Sequence, residues 1–374
     1  MKIMTVLGTR PEIIRLSRII ALLDQHCEHI LVHTGQNFDD RLDGLFFREL
    51  GVREPDVRMN VRGKGFGDQA GQILSGIEPI LIAHRPDRLL ILGDTNSGLT
   101  AIVARRLGIP VFHLEAGNRC YDDRVPEEVN RRIIDHCSTV LMPYTNRSRE
   151  NLLREGFEGR RVYVIGNPIF QVIRHHQAEI EKSPALESVG VKRGEYFLVT
   201  MHRAENVDRE DKLRDLVEAL ARLHQTYGYP VICSFHPRTR AKVEKFGVDI
   251  RRDGVRFLDP LGFLDFIRLE QSAFCILSDS GTVQEEACIF GVPNVTIREV
   301  TERPETIECG SNLLSGSDPD DIVRHVKLVT QQGTGWQPPA EYTAPLVAET
   351  VLRIVTGFRP ADAAEEEWRQ RLRD

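Results

Sequence analysis

Three acidic side chains that could exchange protons with a substrate lie between residues 94 and 127. Glu115 follows an apolar run that predicts a buried strand, Asp94 follows an earlier predicted strand, and Glu127 lies in the first turn of a predicted helix. Acid–base chemistry at both faces of a substrate needs at least two positioned proton-transfer groups. Any one of these acids could instead cap a helix or pair with an arginine, but three acids at neighbouring strand ends and loops favour catalysis.

The predicted helix that carries Glu127 begins at Pro126, because the fixed φ of proline suits the first helical position. Glu127 and Arg131 are four residues apart on this helix, as are Glu128 and Arg132. This spacing predicts two acid–base pairs on neighbouring faces of the helix.

A second set of candidates could bind phosphate. The segment 278–281 follows a predicted strand and precedes a helix, whose free N–H groups and dipole favour an anion near Ser280 and Gly281. Glu286 lies about one turn further along, where a carboxylate could accept hydrogen bonds from ribose hydroxyls. The alternative is an ordinary capped helix start, since Ser and Asp are common N-caps.

Basic side chains also follow predicted strands. Arg10 lies beside the first helix start, where a guanidinium suits a diphosphate, whereas Arg15 on the same helix fits a surface arginine equally well. His202 and His236 follow strands in the second half of the chain and are candidates for binding a charged leaving group. No pair of these histidines has metal-ligand spacing, so we predict no metal.

Strands alternate with helices along the chain, which predicts βαβ units and parallel sheets. The predicted strands, in two series, are residues 3–7, 29–33, 88–92, 110–114, 139–143, 162–165, 196–200, 231–235, 255–258, 274–277 and 292–297. The polar segment 167–193 separates the two series. Because ligands bind at the carboxyl ends of parallel strands, two doubly wound α/β halves that face each other would line a cleft with the polar clusters.

Composition limits the class of protein. The 374 residues suffice for two or three domains, and a net charge of −6 argues against nucleic-acid binding and against a basic membrane-surface module. The seven cysteines form no CxxC pair, so we predict neither a zinc site nor a disulfide framework. The glycine-rich segment 63–67 does not follow a strand directly and predicts no dinucleotide cofactor. No apolar run approaches a membrane span, so we expect a cytoplasmic protein.

Seven motifs follow one another along the chain: GTRPE at residues 8–12, GDTN at 93–96, HLEAGNR at 113–119, PEEVNR at 126–131, MHRAEN at 201–206, SDSGTVQEEA at 278–287 and TERPE at 301–305. In their types, order and spacing, to about Ile354, they resemble the non-hydrolysing UDP-N-acetylglucosamine 2-epimerases. The resemblance implies a GT-B fold, in which two Rossmann-like doubly wound domains face each other across a cleft. The implied domains are residues 1–168, with a C-terminal crossover helix at about 356–374, and residues 169–355, which bind UDP.

The resemblance also implies a homodimeric isomerase that interconverts UDP-GlcNAc and UDP-ManNAc without a cofactor. Loss of UDP from C1 makes removal of the C2 proton feasible, and re-addition with protonation from the other face inverts C2. By resemblance, Asp94, Glu115 and Glu127 supply the acid and the base, and His202 assists at the diphosphate oxygen. The implied substrate-binding residues are Arg10, Arg15, Arg131, His236, Phe266, Ser280, Gly281 and Glu286. Phe266 would lie against the uracil, Glu286 would hold the ribose, and Arg131 would orient Glu127 or the substrate.

The chain departs from the family pattern at several positions. Arg15 stands where the family usually has lysine, and MHRAE replaces the usual GHRRE. The GNRCYD segment followed by RVPEE, with HPRT at residues 236–239, looks most like the branch that forms UDP-N-acetyl-L-fucosamine. The sugar therefore stays open between GlcNAc and a 6-deoxy-L-talosamine congener. The family's regulatory second UDP-GlcNAc site is not predicted, because the segment 34–38 differs. The alternatives are a GT-B glycosyltransferase that uses a UDP-sugar donor and a non-catalytic nucleotide-sugar binder.

Overall fold

A computed structural model describes residues 1–36, 40–333 and 335–359, without the side chains of residues 40–43. The chain divides into two compact units: Met1–Ile173 with the described chain after Ala340, and Arg174–Ala340. The sequence predicts the first boundary at 168/169 and the return at about 356, whereas the units change at 173/174 and at 340/341. Most of the predicted crossover helix, residues 360–374, and part of the segment 34–38 lie outside the described residues.

The first unit is built on a six-stranded parallel sheet. Its strands are β1 (Lys2–Leu7), β2 (Glu28–His33), β3 (Val57–Arg58), β4 (Arg88–Leu92), β5 (Val111–Leu114) and β6 (Val140–Met142). Their spatial order is β3-β2-β1-β4-β5-β6, as expected for a doubly wound sheet. β1 and β4 to β6 are almost entirely buried, because helices cover both faces of the sheet.

The helices of the first unit are α1 (Arg10–His26), α2 (Asp40–Glu49), α3 (Phe66–His84), α4 (Thr100–Arg106), α5 (Pro126–Cys137), α6 (Asn146–Arg154), α7 (Pro168–His175) and the later α17 (Val347–Gly357). α7 passes from the first unit into the second. α17 packs against α1, and the Phe358 ring lies edge-on to Phe112 with the ring centroids 5.7 Å apart. The end of the described chain is thereby tied to the first sheet.

The second unit repeats this architecture. Its strands are β7 (Phe197–Thr200), β8 (Val231–Ser234), β9 (Val255–Leu258), β10 (Cys275–Ser278), β11 (Asn294–Thr296) and β12 (Asn312–Leu314), in the order β12-β11-β10-β7-β8-β9. Its helices are α8 (Gln177–Lys182), α9 (Ala185–Val189), α10 (Ala204–Val207), α11 (Glu210–Tyr227), α12 (Pro237–Phe246), α13 (Phe263–Glu270), α14 (Gly281–Phe290), α15 (Pro304–Glu308) and α16 (Pro319–Gln331). All its strand pairs are parallel, which confirms the predicted α/β class.

The structure corrects the strand prediction in two ways. The predicted strand 162–165 is wrong: its ladder with β6 consists of one isolated bridge, between Leu141 and Val162. The short strands β3 and β12 were not predicted, because two or three residues are too few to show a periodic pattern. No helix among the described residues combines the length and the apolar character that crossing a membrane requires.

Candidate functional site

Glu115 occupies a constrained position at the carboxyl end of β5. Its φ of 65° lies in the left-handed region, which is uncommon for residues other than glycine and occurs often at functional sites. Only 9% of Glu115 is exposed, and its Oε2 lies 2.5 Å from Nη1 of Arg15. Arg15 itself is 2% exposed, so the alternative of a surface arginine is wrong. The structure thus holds Glu115, a predicted proton-transfer residue, against the guanidinium of Arg15, a predicted substrate-binding residue.

Asp94 is held in a similar way at the end of the neighbouring strand, β4. Both Nε and Nη2 of Arg131 lie 2.8 Å from Oδ2 of Asp94, and Nη1 of the same guanidinium lies 2.8 Å from Oε2 of Glu128. A guanidinium shared in this way fixes the direction of the Asp94 carboxylate. Arg131 therefore orients Asp94, a contact that the sequence did not predict, because 37 residues separate the two.

Glu127 lies near the start of α5, which begins at Pro126 as predicted. Its side chain is half-buried. The predicted pair of Glu128 with Arg132 is confirmed at 3.2 Å. α5 is anchored to the Asp94 loop because Nδ2 of Asn130 donates to the Asp94 carbonyl oxygen at 3.0 Å. The three predicted acids are therefore carried by adjoining segments, the ends of β4 and β5 and the start of α5.

A buried network that the sequence did not predict supports the Glu115 loop. Oδ2 of Asp135 on α5 accepts hydrogen bonds from the Gly117 N–H and from Nη2 of Arg119, and Oδ1 lies 2.8 Å from Nδ1 of His113. Burial raises the pKa of the Asp135 carboxyl, but His113 and Arg119 more than offset this and hold that pKa below its usual value. An ionised Asp135 thus ties both sides of Glu115 to α5.

Glu12, inside the GTRPE motif, is a second acid that the sequence analysis missed. Its Oε2 accepts hydrogen bonds from the Gly8 N–H and from Oγ1 of Thr9, and its Oε1 accepts one from Oγ1 of Thr95. Burial raises the pKa of this carboxyl to about 7 despite those donors. Glu12 joins the loop after β1, where Arg10 begins α1, to the loop after β4 that holds Asp94. The GTRPE motif marks Glu12 as a candidate, but only the fold shows that its side chain is buried.

The second unit presents its own polar cluster at the carboxyl ends of its strands. Asp279, directly after β10, accepts hydrogen bonds from the backbone N–H groups of His202 and Arg203, both at 2.9 Å. The rings of His202 and His236 lie with their centroids 5.3 Å apart. The structure therefore brings the two predicted histidines together, and Asp279, which was not among the predicted site residues, positions the His202 loop.

The predicted phosphate-binding segment is the start of α14. Ser280 is the N-cap residue, but its side chain makes no capping hydrogen bond and instead contacts Oγ1 of Thr282 at 3.0 Å. The alternative of an ordinary side-chain cap is therefore wrong at Ser280. A Cβ on Gly281 would lie 2.4 Å from Oε1 of Glu302, so the buried Glu302 carboxylate would have to shift if another residue stood here. Glu302 is held by Nη1 of Arg298, 2.9 Å away.

Glu286 and Phe266 lie on packed helices of the second unit. Glu286 is buried on α14, and Phe266 is half-buried on α13 in the apolar cluster beneath it. Glu270, at the end of α13, is fully buried, and its pKa is well above the usual value because of burial and the neighbouring charge of Glu286. Glu270 was not predicted, since nothing in its local sequence marks it.

The described residues contain no group of three or more histidine, cysteine, aspartate or glutamate side chains arranged to hold a metal ion. Arginine side chains hold Asp94, Glu115 and Asp135, and backbone N–H groups hold Asp279. What the arrangement offers chemically is a set of oriented carboxylates in the first unit and a histidine pair beside a helix start in the second.

The chain is similar to proteins of one enzyme family. A family-level sequence profile for UDP-N-acetylglucosamine 2-epimerase matches residues 21–356. The UDP-N-acetylglucosamine 2-epimerase of Methanocaldococcus jannaschii is 38% identical over 364 residues, which are 95% of this chain and 99% of that protein. A crystal structure of the M. jannaschii enzyme in complex with UDP-GlcNAc and UDP superposes with a TM-score of 0.91, covering 96% of this chain and 100% of the other.

Two further similarities bear on specificity and fold. The UDP-2,3-diacetamido-2,3-dideoxy-D-glucuronate 2-epimerase of Pseudomonas aeruginosa is 38% identical, over 87% of this chain and 92% of that protein. The glycosyltransferase WaaG, involved in lipopolysaccharide biosynthesis, is 12% identical with a TM-score of 0.56, covering 99% of this chain and 98% of the other. This last likeness concerns the fold alone.

Proposed function

Because the chain belongs to the UDP-N-acetylglucosamine 2-epimerase family, we propose that it is an isomerase that inverts C2 of a UDP-N-acetylhexosamine without net hydrolysis. The observation that carries the proposal is the pair of oriented carboxylates at adjacent strand ends, Asp94 held by Arg131 and Glu115 held by Arg15. Two fixed carboxylates can serve opposite faces of one sugar ring, which is what inversion at carbon requires.

The chemistry follows from the poor acidity of the sugar C2–H bond. Direct removal of that proton would be slow, so UDP leaves C1 first, through an oxocarbenium-like transition state, and the C2 proton is then lost to a carboxylate. A 2-acetamidoglucal and UDP remain bound. UDP returns to C1 while an acid delivers a proton to C2 from the other face, so that no cofactor is consumed.

Each unit supplies different groups to this reaction. We assign the proton transfers to Asp94, Glu115 and Glu127, without dividing the acid and base roles among them. We assign the diphosphate to His202 and His236, together with Arg10 and the α14 start at Ser280 and Gly281. Glu286 would hold the ribose and Phe266 the uracil. The adjacent histidine rings and the closely packed glycine at 281 support these assignments.

The natural sugar is the open part of the proposal. UDP-GlcNAc with UDP-ManNAc as product is the first candidate, because the M. jannaschii relative is a UDP-N-acetylglucosamine 2-epimerase. The GNRCYD segment favours the 6-deoxy-L-talosamine to L-fucosamine congener. The Pseudomonas relative adds a diacetamido-glucuronate nucleotide to the panel. A product of this kind is a precursor for surface polysaccharide, which is the pathway class that we propose.

Deuterium exchange tests the reaction directly. The protein is incubated in D2O with each nucleotide sugar of the panel, and C2 deuteration and free UDP are followed by NMR. With at least one sugar of the panel, we expect deuterium at C2 of both epimers together with slow release of free UDP. Absence of C2 exchange with every sugar would overturn the proposal. A glycosyltransferase would exchange no C2 proton without an acceptor, and a hydrolysing epimerase would release free ManNAc.

Replacement of the acids provides the matching control. Asp94→Asn, Glu115→Gln and Glu127→Gln should each lower the exchange rate by roughly 10²-fold or more, since general acid–base groups contribute about that much. Circular dichroism should show that the variants remain folded. Exchange at the wild-type rate in all three would show that the protons move elsewhere.

We further infer a homodimer, supported by the family resemblance. Light scattering coupled to size exclusion should give twice the mass of the chain. A single-chain mass at micromolar concentration would contradict the dimer while leaving the epimerase proposal to the exchange assay.

A further inference from the structure

Two cysteines of the second unit lie close together although 21 positions separate them in the sequence. Cys288 is on the last turns of α14, Cys309 follows α15 directly, and their sulfur atoms are 3.6 Å apart. A disulfide bond has an S–S length of about 2.05 Å, so the two sulfurs would have to approach by about 1.5 Å. Small rotations of two side chains can supply a movement of this size.

The two thiols differ in exposure and in acidity. Cys309 is half-buried, whereas Cys288 is buried. The hydrogen bond from the Cys288 thiol, assisted by Ser311, lowers the pKa of Cys309 to about 6. The same hydrogen bond, together with burial, raises the pKa of Cys288. Cys309 therefore has the character of an attacking thiolate, and Cys288 that of its neighbouring partner.

The other five cysteines, all in the described part of the chain, have the opposite character. Burial raises the pKa of each of them: Cys27, Cys120, Cys137, Cys233 and Cys275. Redox-active cysteines are accessible, have a low pKa and often lie beside a second thiol that resolves the oxidised intermediate. Within this chain that description fits Cys309 with Cys288.

We propose that Cys309 and Cys288 form a thiol oxidation site, at which a peroxide converts the pair to an intramolecular disulfide. The Cys309 thiolate attacks one peroxide oxygen and the O–O bond breaks, which gives a sulfenic acid on Cys309 and, from hydrogen peroxide, one hydroxide. The Cys288 sulfur then attacks the sulfenic sulfur and the S–O bond breaks. The leaving hydroxide takes the Cys288 proton, and the first hydroxide takes the proton that Cys309 lost on ionising, so two thiols and one hydrogen peroxide yield one disulfide and two waters.

The bond would join two helices at the proposed phosphate site. α14 begins at Gly281, and the segment before α15 already contacts the first turns of α14: Oγ1 of Thr301 donates to Oε1 of Gln284 at 2.7 Å, and Nε of Arg303 donates to Glu285. A disulfide from Cys288 to Cys309 would fasten the opposite end of the same helix pair. Oxidation of the two thiols would therefore restrain α14, the helix that carries Ser280 and Gly281 at its start.

Stoichiometric hydrogen peroxide tests the proposal on the reduced full-length protein. We expect the loss of two thiols and a cross-linked peptide containing Cys288 and Cys309 in non-reducing mass spectrometry, with both thiols restored by dithiothreitol. At pH 7 Cys309 should react about tenfold faster, or more, than the half-buried Cys137, because far more of it is thiolate. A cross-link that joins other cysteines, or first oxidation at Cys137 or Cys120, would overturn the proposal.

Single substitutions separate the two roles. In Cys288→Ser the sulfenic acid on Cys309 has no resolving thiol, so dimedone should label Cys309. In Cys309→Ser, Cys288 should stay reduced, and the matched control Cys137→Ser should form the cross-link as the wild type does. Dimedone labelling of Cys288 in Cys309→Ser at the rate seen for Cys309 would contradict the assignment. These readouts are independent of the epimerase assay, so each proposal can fail alone.

Discussion

At the scale of single residues, Arg131 is the contact on which the orientation of Asp94 depends. Two of its nitrogens reach Oδ2 of Asp94 and the third reaches Glu128. A lysine has one ammonium group and cannot make all three contacts at once. We therefore expect Arg131→Lys to lower kcat/KM by roughly 10²-fold, or about 2.7 kcal/mol of transition-state stabilisation.

Arg132 on the same helix offers a matched control. Its side chain is 40% exposed and pairs with the exposed Asp123 and with the buried Glu128, which Arg131 also holds. The exposed pair with Asp123 contributes little, lysine keeps the positive charge, and Arg131 still holds Glu128, so Arg132→Lys should stay within about twofold of the wild type in a steady-state assay. Equal losses in the two variants would contradict the specific role of Arg131.

Glu12 predicts a pH dependence of stability. Its pKa is raised from 4.5 to about 7, so between these values the folded protein holds a proton that the unfolded chain releases. The contribution is fully present below about pH 4.5 and is lost as the pH rises to about 7, an effect of about 3 kcal/mol. Relative to Glu12→Gln, the wild type should lose this much free energy of unfolding between pH 4.5 and 7.5 in urea titrations.

The exposed Glu28→Gln variant is the control for that titration. Glu28 pairs only at the surface with Lys2, 2.9 Å away, so its replacement should leave the pH profile of the wild type unchanged. If Glu12→Gln followed the wild-type profile as well, the raised pKa of Glu12 would be refuted.

At the scale of elements, a side chain at position 281 would crowd the start of α14 against Glu302. The Cβ of Gly281→Ala would displace Glu302, whose carboxylate Arg298 holds. In our proposal the start of α14 approaches the diphosphate closely. We therefore expect Gly281→Ala to bind UDP about tenfold more weakly than the wild type, as measured by calorimetry. Gly71→Ala on α3, where the added Cβ would meet nothing within 4 Å, should bind UDP as the wild type does. Unchanged UDP affinity in Gly281→Ala would remove Gly281 from the site.

At the scale of the whole molecule, a bound nucleotide should stabilise the fold. A ligand that binds only the native state at one hundred times its Kd adds about 2.7 kcal/mol to the free energy of unfolding. UDP should therefore raise the midpoint of thermal unfolding by several degrees in calorimetry, and uridine at the same concentration should raise it less, because it lacks the diphosphate. A midpoint that does not change with UDP would contradict nucleotide binding.

Local patterns determined much of the fold. The strand at Arg88–Leu92 and the helix start at Pro126 were predicted where the structure has them, because apolar runs and proline chemistry act over a few residues. The motifs around Asp94, Glu115 and Ser280 determined the family. The short strand β12 could not be predicted, since only its pairing with β11 defines it.

The tertiary structure alone decided which groups meet. The spacing related Arg131 only to residues of its own helix, and folding brings its guanidinium to Asp94, 37 residues away. Burial, which depends on all surrounding elements, set the pKa of Glu12, and the packing of α14 against α15 set the distance between Cys288 and Cys309. Spacing along the chain reports neighbours on one element, whereas charge and reactivity depend on contacts between elements that are distant in sequence.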